Sequence, residues 1–403
     1  MNLRSKPLSI AYYLLLIIII VAGFYAIYVR ATEGLSVTAL TSLVVWGAWV
    51  SWYIFFIGVS AGAFLLSSLV YVFNMKKYEP MGRDALLIAT ISMILALLFV
   101  WIDIARLERG LFVIMYRNFT SILSWEIHFY LIYVILLIVE LYFAMRVDLV
   151  KMSKSSKIYR LLSLGSRDTS EKSMSRDKRT LRVLGAIAIP IALAVHGGTG
   201  ALFSGVKARI YWFSPLVPVI FIVSALVSGT ALLIFFKYMR DKTSGREIDK
   251  ELYLSLGKLL MFFLFVDMFF LFWEYFSGFY GLIPDHLAIL SIIMAGTYSW
   301  VFWIVQIGLG VALPIILITY SSKTKSVLGI VIGSIFVTLG IAALRHNLVI
   351  PALAIPIIEG MPTQAPYFPT LIEWISSFGL IALGLLLYSI GTRVLPMDKK
   401  GGL

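Results

Sequence analysis

There is no cysteine among the 403 residues. That excludes disulfides, thiolate-held iron–sulfur clusters and Cys-ligated zinc within this chain. Charge is also scarce. Only 14% of residues are Asp, Glu, Lys or Arg, 60% are hydrophobic, and mean hydropathy is +0.94. A soluble domain carries about 25% charged residues, so this composition excludes an ordinary one. Histidine occurs four times, at His128, His196, His286 and His346. A b-type cytochrome needs paired axial histidines at matching depth on facing helices, and only His128 with His196 offers an easy pair. No small-residue cleavage pattern follows the first apolar run, which is too long for a signal-peptide core, so it is read as a membrane helix. The net charge of +13 sits in a few connecting segments rather than on a soluble face. That pattern speaks for membrane topology and against nucleic acid.

What is present is a series of apolar runs of the length that crosses a hydrocarbon core of roughly 30 Å. Ten spans are predicted, near 8–29, 46–73, 85–105, 124–146, 181–203, 213–236, 253–276, 288–319, 327–348 and 371–391. Lys and Arg concentrate on one side: Arg4 and Lys6, the 74–84 and 237–252 loops, the tail with Lys399 and Lys400, and a very basic 147–180 loop. The asymmetry predicts a multi-pass protein of the cell membrane with both termini in the cytoplasm. The basic loop has no apolar face and reads as flexible, a topology signal first and a docking element second. Five prolines between Pro351 and Pro369 predict an extended outer segment.

The spans repeat in order. IFFIGVSAGAFLL (54–66) matches IFIVSALVSGTALL (220–233), Asp103 matches the Asp267–Glu274 region, Ser124-Trp125 matches Ser299-Trp300, and His196 matches Arg345-His346. Both units start on the outer side, which makes a parallel repeat. The expected fold is an all-α membrane protein with four-helix bundles at 46–203 and 204–350. A flanking helix lies in 1–45 and another in 351–403. The small residues of the repeated strings suit close helix packing, or a ligand lying against bare backbone.

Ionisable groups within a membrane need a partner or a task. Span three climbs about 28 Å from Asp84 to Asp103, at 1.5 Å per residue. Asp103 therefore lies near the outer boundary, with Glu126 and His128 in the first turns of span four. His196 lies two-thirds of the way across span five. If the first bundle closes, these four converge in its outer third. A quinone head group needs donors to its carbonyl oxygens and groups that exchange two protons, for which His beside a partly desolvated carboxylate is suited. Trp125, Tyr130 and Tyr133 offer a ring face or a hydroxyl. His128 bonded to nearby backbone, and Asp103 paired with Arg106, are the structural alternatives. Gly197, Gly198 and Gly200 are expected to weaken the helix after His196. Glu140, Asp267, Glu274 and His346 could form a proton route, or Glu274 a structural pair with Arg345. A secondary transporter remains compatible with the repeat, although the polar groups favour one face over the midplane.

Asp103-Ile104-Ala105-Arg106, followed by Ser124-Trp125-Glu126, resembles the NrfD/polysulfide reductase membrane-subunit family. GVSAGAFLLSS (58–68) is similar to that family's first bundle helix, and 196–233 to the fifth-to-sixth helix region of its larger, ten-helix branch. The likeness runs from about Trp46 to His346. The family's D-L-G-R-P element is here Asp103-Ile104-Ala105-Arg106-Leu107, without its glycine and proline. The resemblance implies two bundles without haem or iron–sulfur cluster, and an outer-side site for menaquinone or a related quinone. It also implies an iron–sulfur partner subunit on the outer face. That partner would lead to a molybdopterin enzyme, a multihaem cytochrome or a hydrogenase. Carried over by position, Asp103, Arg106, Trp125, Glu126, His128 and His196 become quinone-site candidates, with Tyr130 or Tyr133 as a phenolic contact. The terminal substrate (sulfur, polysulfide, tetrathionate or hydrogen) would belong to the partner.

Overall fold

The computed structural model describes residues 6–154, 156–357 and 366–398. Among the described residues, ten helices are long and apolar enough to cross a membrane. They are α1 (Lys6–Glu33), α2 (Ala48–Tyr71), α3 (Gly82–Asp103), α4 (Ile122–Met152) and α5 (Glu171–Ser204). Then come α6 (Val217–Thr243), α7 (Lys250–Tyr280), α8 (Val301–Thr324), α9 (Leu328–Val349) and α10 (Leu371–Val394). Leu14, Ile18 and Val21 of α1 are exposed, as are Phe265, Phe269 and Phe272 of α7. Such faces suit acyl chains rather than water as the surrounding solvent.

Contacts close α2, α3, α4 and α5 into one ring, and α6, α7, α8 and α9 into a second. The rings meet through α2 against α6, with α5 also touching α6 and α9 touching α2. Here the repeated small-residue strings lie face to face. A Cβ at Gly62 would overlap the Ala225 carbonyl of α6, and one at Gly229 would overlap the backbone of Gly62 and Ala63. Glycine at these two positions lets the central helices touch backbone to backbone. Helices α1 and α10 pair outside the rings, α10 resting on α3 and α2. Arg393 donates to Ser9 at 3.3 Å and Tyr12 bonds Ser389 at 3.1 Å, so both termini lie at one end.

That termini end is tied by buried ion pairs: Asp84 with Arg240 at 2.8 Å, Asp148 with Arg83 at 2.6 Å, Asp177 with Arg146 at 2.6 Å, and Asp241 with Lys237 at 2.8 Å. The 147–180 segment, expected to be a flexible loop, is largely helical. Helix α4 runs on to Met152, a short helix spans Lys157–Leu162, and α5 begins at Glu171 behind a Ser170 cap. Arg146 explains the order, because it binds Asp177, Ser166, Ser173 and the Asp168 carbonyl together.

Three further expectations change. The span read as 288–319 is two elements, a short helix Pro284–Met294 and then α8, separated around Gly296. The first half of α8, Val301–Ala312, is wound as a π-helix, and it leads into Pro314, which cannot donate a backbone hydrogen bond. His286, which falls between the predicted spans 253–276 and 288–319, is buried in that short helix, edge-on to Tyr211, and burial pushes its imidazole below the ordinary value. The proline-rich connection opens with a 3₁₀ turn, Pro351–Leu353. Pro362 lies outside the described residues, as do Arg4, Lys399 and Lys400.

Candidate functional site

The strongest cluster of buried polar groups in the first ring forms near the end opposite the termini. Glu126 stands four residues into α4, Tyr53 five into α2, and Thr199 five before the close of α5. At 1.5 Å per residue all three lie about 6–8 Å inside the helix ends, so depth alone brings them level. Glu126 and Tyr130 are four apart and share a face of α4. Tyr130 donates to Glu126 Oε1, Tyr53 donates to the same oxygen at 3.2 Å, and the two phenols bond each other at 2.6 Å. Tyr130 also meets the Thr199 hydroxyl at 2.9 Å. Glu126 is 2% exposed, and its Oε2 is buried without a partner. A buried carboxylate oxygen left without a donor costs free energy, so such an atom in a built cluster points to an absent ligand or proton.

His196 lies one turn below Thr199 on α5, at the seam between the rings. Arg345 Nη2 donates to His196 Nε2 at 3.2 Å and to Ser224, and its guanidinium sits over the Phe221 ring at 4.4 Å. A guanidinium only donates, so Nε2 accepts and the ring proton resides on Nδ1. Axial metal ligation through Nε2 would require His196 to leave Arg345. Gly58 completes the wall, because a Cβ there would stand 3.1 Å from His196 Nε2. The glycines after His196, expected to weaken the helix, leave α5 continuous to Ser204. Gly200 instead admits Pro218, against which a Cβ would stand at 2.6 Å.

Other candidates fall elsewhere, so the four-residue convergence expected from depth is only half met. Asp103 is the last residue of α3, and the chain turns extended at Ile104. The helical spacing that would pair Asp103 with Arg106 is therefore lost, and Arg106 is exposed and makes no ion pair among the described residues. Asp103 instead lies within electrostatic range of Arg30 and Glu373, in the corner made by α1, α3 and α10. Trp125 follows the helix rotation away from Glu126, is 48% exposed, and donates to the Phe119 carbonyl at 2.8 Å. His128 Nδ1 bonds its own helix at the Ser124 carbonyl, 2.6 Å away, with its ring against Phe119. Tyr133 turns to the Ser60 carbonyl at 3.1 Å.

Among the proton-route candidates, Glu140 is buried beside Gly185 with Oε1 unpartnered. Asp267 and not Glu274 is the acid in electrostatic range of Arg345. Glu274 accepts from the Ser214 hydroxyl at 2.7 Å. His346 faces Asn347 at 3.2 Å and the Tyr298 ring, away from Arg345, and Asn347 continues to Gln306 at 2.8 Å.

Sequence reading missed Tyr53, Thr199, Ser224 and the Glu373 knot. Thr199 was legible as the residue three after His196 on one face, and Ser224 as the counterpart of the Gly58 region. Glu373 is fully buried, bonded by Tyr367, by the Ala39 N–H at 2.9 Å and by the Thr370 N–H at 2.9 Å. Burial and the neighbouring carboxylate push the Tyr367 phenol up, so it stays protonated and donates. Arg209 beside the second ring sits on the carbonyls of Ala352 and Ile355, and burial lowers its pKa.

Comparison with known proteins agrees with this architecture. Residues 36–357 match the family described as Polysulphide reductase, NrfD. The chain is 41% identical, over 96% of its length and 94% of the relative's, to a selenate reductase subunit of Mesobacillus selenatarsenatis. It is 30% identical, over 96% and 94%, to the Hdr-like menaquinol oxidoreductase integral membrane subunit of Archaeoglobus fulgidus. It is 24% identical, over 93% and 88%, to the menaquinone reductase integral membrane subunit of Nitratidesulfovibrio vulgaris.

Proposed function

This chain belongs to the polysulphide reductase NrfD family, and from that premise we propose that it is the quinone-reactive membrane subunit of a respiratory reductase complex. The observation that carries the proposal is Glu126, whose Oε1 is gripped by two phenols while Oε2 is left open in the cluster with Tyr130 and Thr199, one turn of α5 from His196. Relatives named for menaquinol oxidation and menaquinone reduction support menaquinone or a related quinone as the partner of this site.

A bound quinol supplies two electrons together with two protons. The residues present fit that demand. Glu126 Oε2 is a buried acceptor, and Tyr130 with Thr199 forms an unbroken run of hydroxyls that passes a proton by exchanging donor and acceptor roles. Tyr53 and Tyr130 hold the carboxylate in one orientation, which positions it before any reaction begins. Arg345 fixes the His196 tautomer, so the imidazole presents Nδ1–H to its surroundings. Tight packing by Phe221 and Phe203 keeps bulk water out. The same groups serve the reverse direction.

Without cysteine this chain cannot itself hold a thiolate-bound cluster. Electrons therefore pass to a docked iron–sulfur subunit at the far end, and from there to a catalytic subunit of the molybdopterin, multihaem or hydrogenase kind. The 104–121 connection suits a docking face: Arg106, Arg109 and Arg117 are exposed there beside Phe112 and Tyr116. Glu140, Asp267, Glu274 and His346 are proposed as proton-relay residues, and by this reading the termini lie in the cytoplasm.

Glu126→Gln and His196→Ala test the reading. Each is expected to abolish quinol-dependent turnover while leaving electron transfer from artificial dyes intact. Retention of quinol activity in both variants would remove the site.

A further inference from the structure

A second cavity lies at the opposite end of the first ring, between the α2–α3 turn, the close of α4 and the opening of α5. Its volume is about 410 Å³. Four basic and two acidic side chains border it. Two of these charges are already matched: Arg83 binds Asp148 at 2.6 Å, and Asp177 binds Arg146 at 2.6 Å. Lys76, Lys178 and Arg182 make no ion pair among the described residues. Glu79 is the remaining acid at the rim.

Lys178 and Arg182 are four apart on α5, so they stand on one face about 6 Å apart and repel each other. Lys76 faces them across the cavity from the 3₁₀ turn Lys76–Met81. Beyond the two pairs, three cations against the single acid Glu79 leave the rim net positive, which favours an anion. The walls between them are apolar, formed by Tyr71, Phe143 and Met174, and Phe73 and Met75 beside the mouth are exposed. A wholly aqueous anion has no use for such walls, whereas a phosphate carried on acyl chains does. The cavity also stands where α2 ends and α3 begins, at the level of a lipid headgroup.

We propose that this cavity binds the phosphodiester headgroup of an anionic membrane phospholipid, with Lys76, Lys178 and Arg182 around the phosphate and the acyl chains leaving along α2 and α5. The site is separate from the Glu126 cluster, so it stands or falls apart from the quinone reading.

Native mass spectrometry of the purified protein in mixed micelles, with equal phosphatidylglycerol and phosphatidylcholine, tests it. Phosphatidylglycerol is expected to be retained preferentially, and each cation removed should lower that preference about fivefold. The triple variant K76Q/K178Q/R182Q should show none. K76R/K178R/R182K keeps the charges and should keep the preference, which separates charge from folding. K154Q/K157Q/R160Q removes three exposed cations near the same end and should leave the preference intact. An equal loss in that control would mean diffuse attraction and overturn the site. Displacement of the lipid by excess inorganic phosphate would mean a free-phosphate site and overturn the lipid assignment. No preference in the unmodified protein would overturn it outright.

Discussion

At the termini end, Asp84, Asp148, Asp177 and Asp241 each meet a cation, whereas at the far end Glu126, Glu274 and Glu373 are held by hydroxyls and backbone N–H groups. The far-end cations divide differently too. Arg30 donates to the Ile104 carbonyl at 2.6 Å and Arg209 to the Ala352 carbonyl at 2.9 Å. An acid locked to a cation keeps its charge, because protonating it would leave the cation unmatched. An acid held by phenols can gain or lose a proton without breaking an ion pair. One end of the same membrane protein is therefore built for cohesion, and the other is arranged as the proposed proton exchange requires.

Breaking that contrast at the far end should give the largest effect. Glu126→Gln and Tyr130→Phe are expected to lower quinol-dependent turnover by about 10²-fold or more, as for loss of a proton-exchanging group. Steady-state assays with a soluble quinol, run against a dye-donor control, check this. At the termini end, Asp84→Asn removes the nearest partner of Arg240 and leaves Asp398 at 3.3 Å and Asp241 at 3.6 Å. The loss should therefore lie at or below the low end of the ~3–5 kcal/mol that breaking a buried pair costs. Thermal unfolding in detergent should show the loss, while quinol turnover per folded molecule stays unchanged.

A finer form of the comparison lies within α2. Gly62 and Gly58 are one turn apart, yet one touches α6 backbone and the other His196. Gly62→Ala should destabilise by about 1–3 kcal/mol through overpacking. Gly58→Ala should leave unfolding nearly unchanged and raise the quinol KM. The smallest effect is expected for Arg106→Ala, which changes stability by no more than about 0.5 kcal/mol and leaves the quinol KM unaltered.

Depth and spacing carried much of this architecture. Ten spans, the central small-residue strings, and the levels of Glu126 and His196 follow from helix rise and composition alone. Rotation was less legible. Trp125 and His128 flank Glu126 in sequence but turn to the lipid side and to their own backbone. The helix ends at Asp103, three residues before Arg106, so the two do not share a face. Tyr53 and Thr199 became visible only when three helices were set side by side, because each is an ordinary residue in an apolar run. The order in 147–180 depends on one buried arginine, Arg146, gathering partners from 20 or more residues away. Composition reads the same segment as solvated chain.

The most direct test of the central claim is photolabelling of the complex in membrane vesicles with an azido-quinone, with and without excess unlabelled quinol, followed by peptide mapping. Label that quinol suppresses should fall on α2 near Tyr53–Gly58, on α4 near Glu126–Tyr130 and on α5 near His196–Thr199. Suppressible label confined to the second ring, around Asp267 or Gln306, would contradict the account.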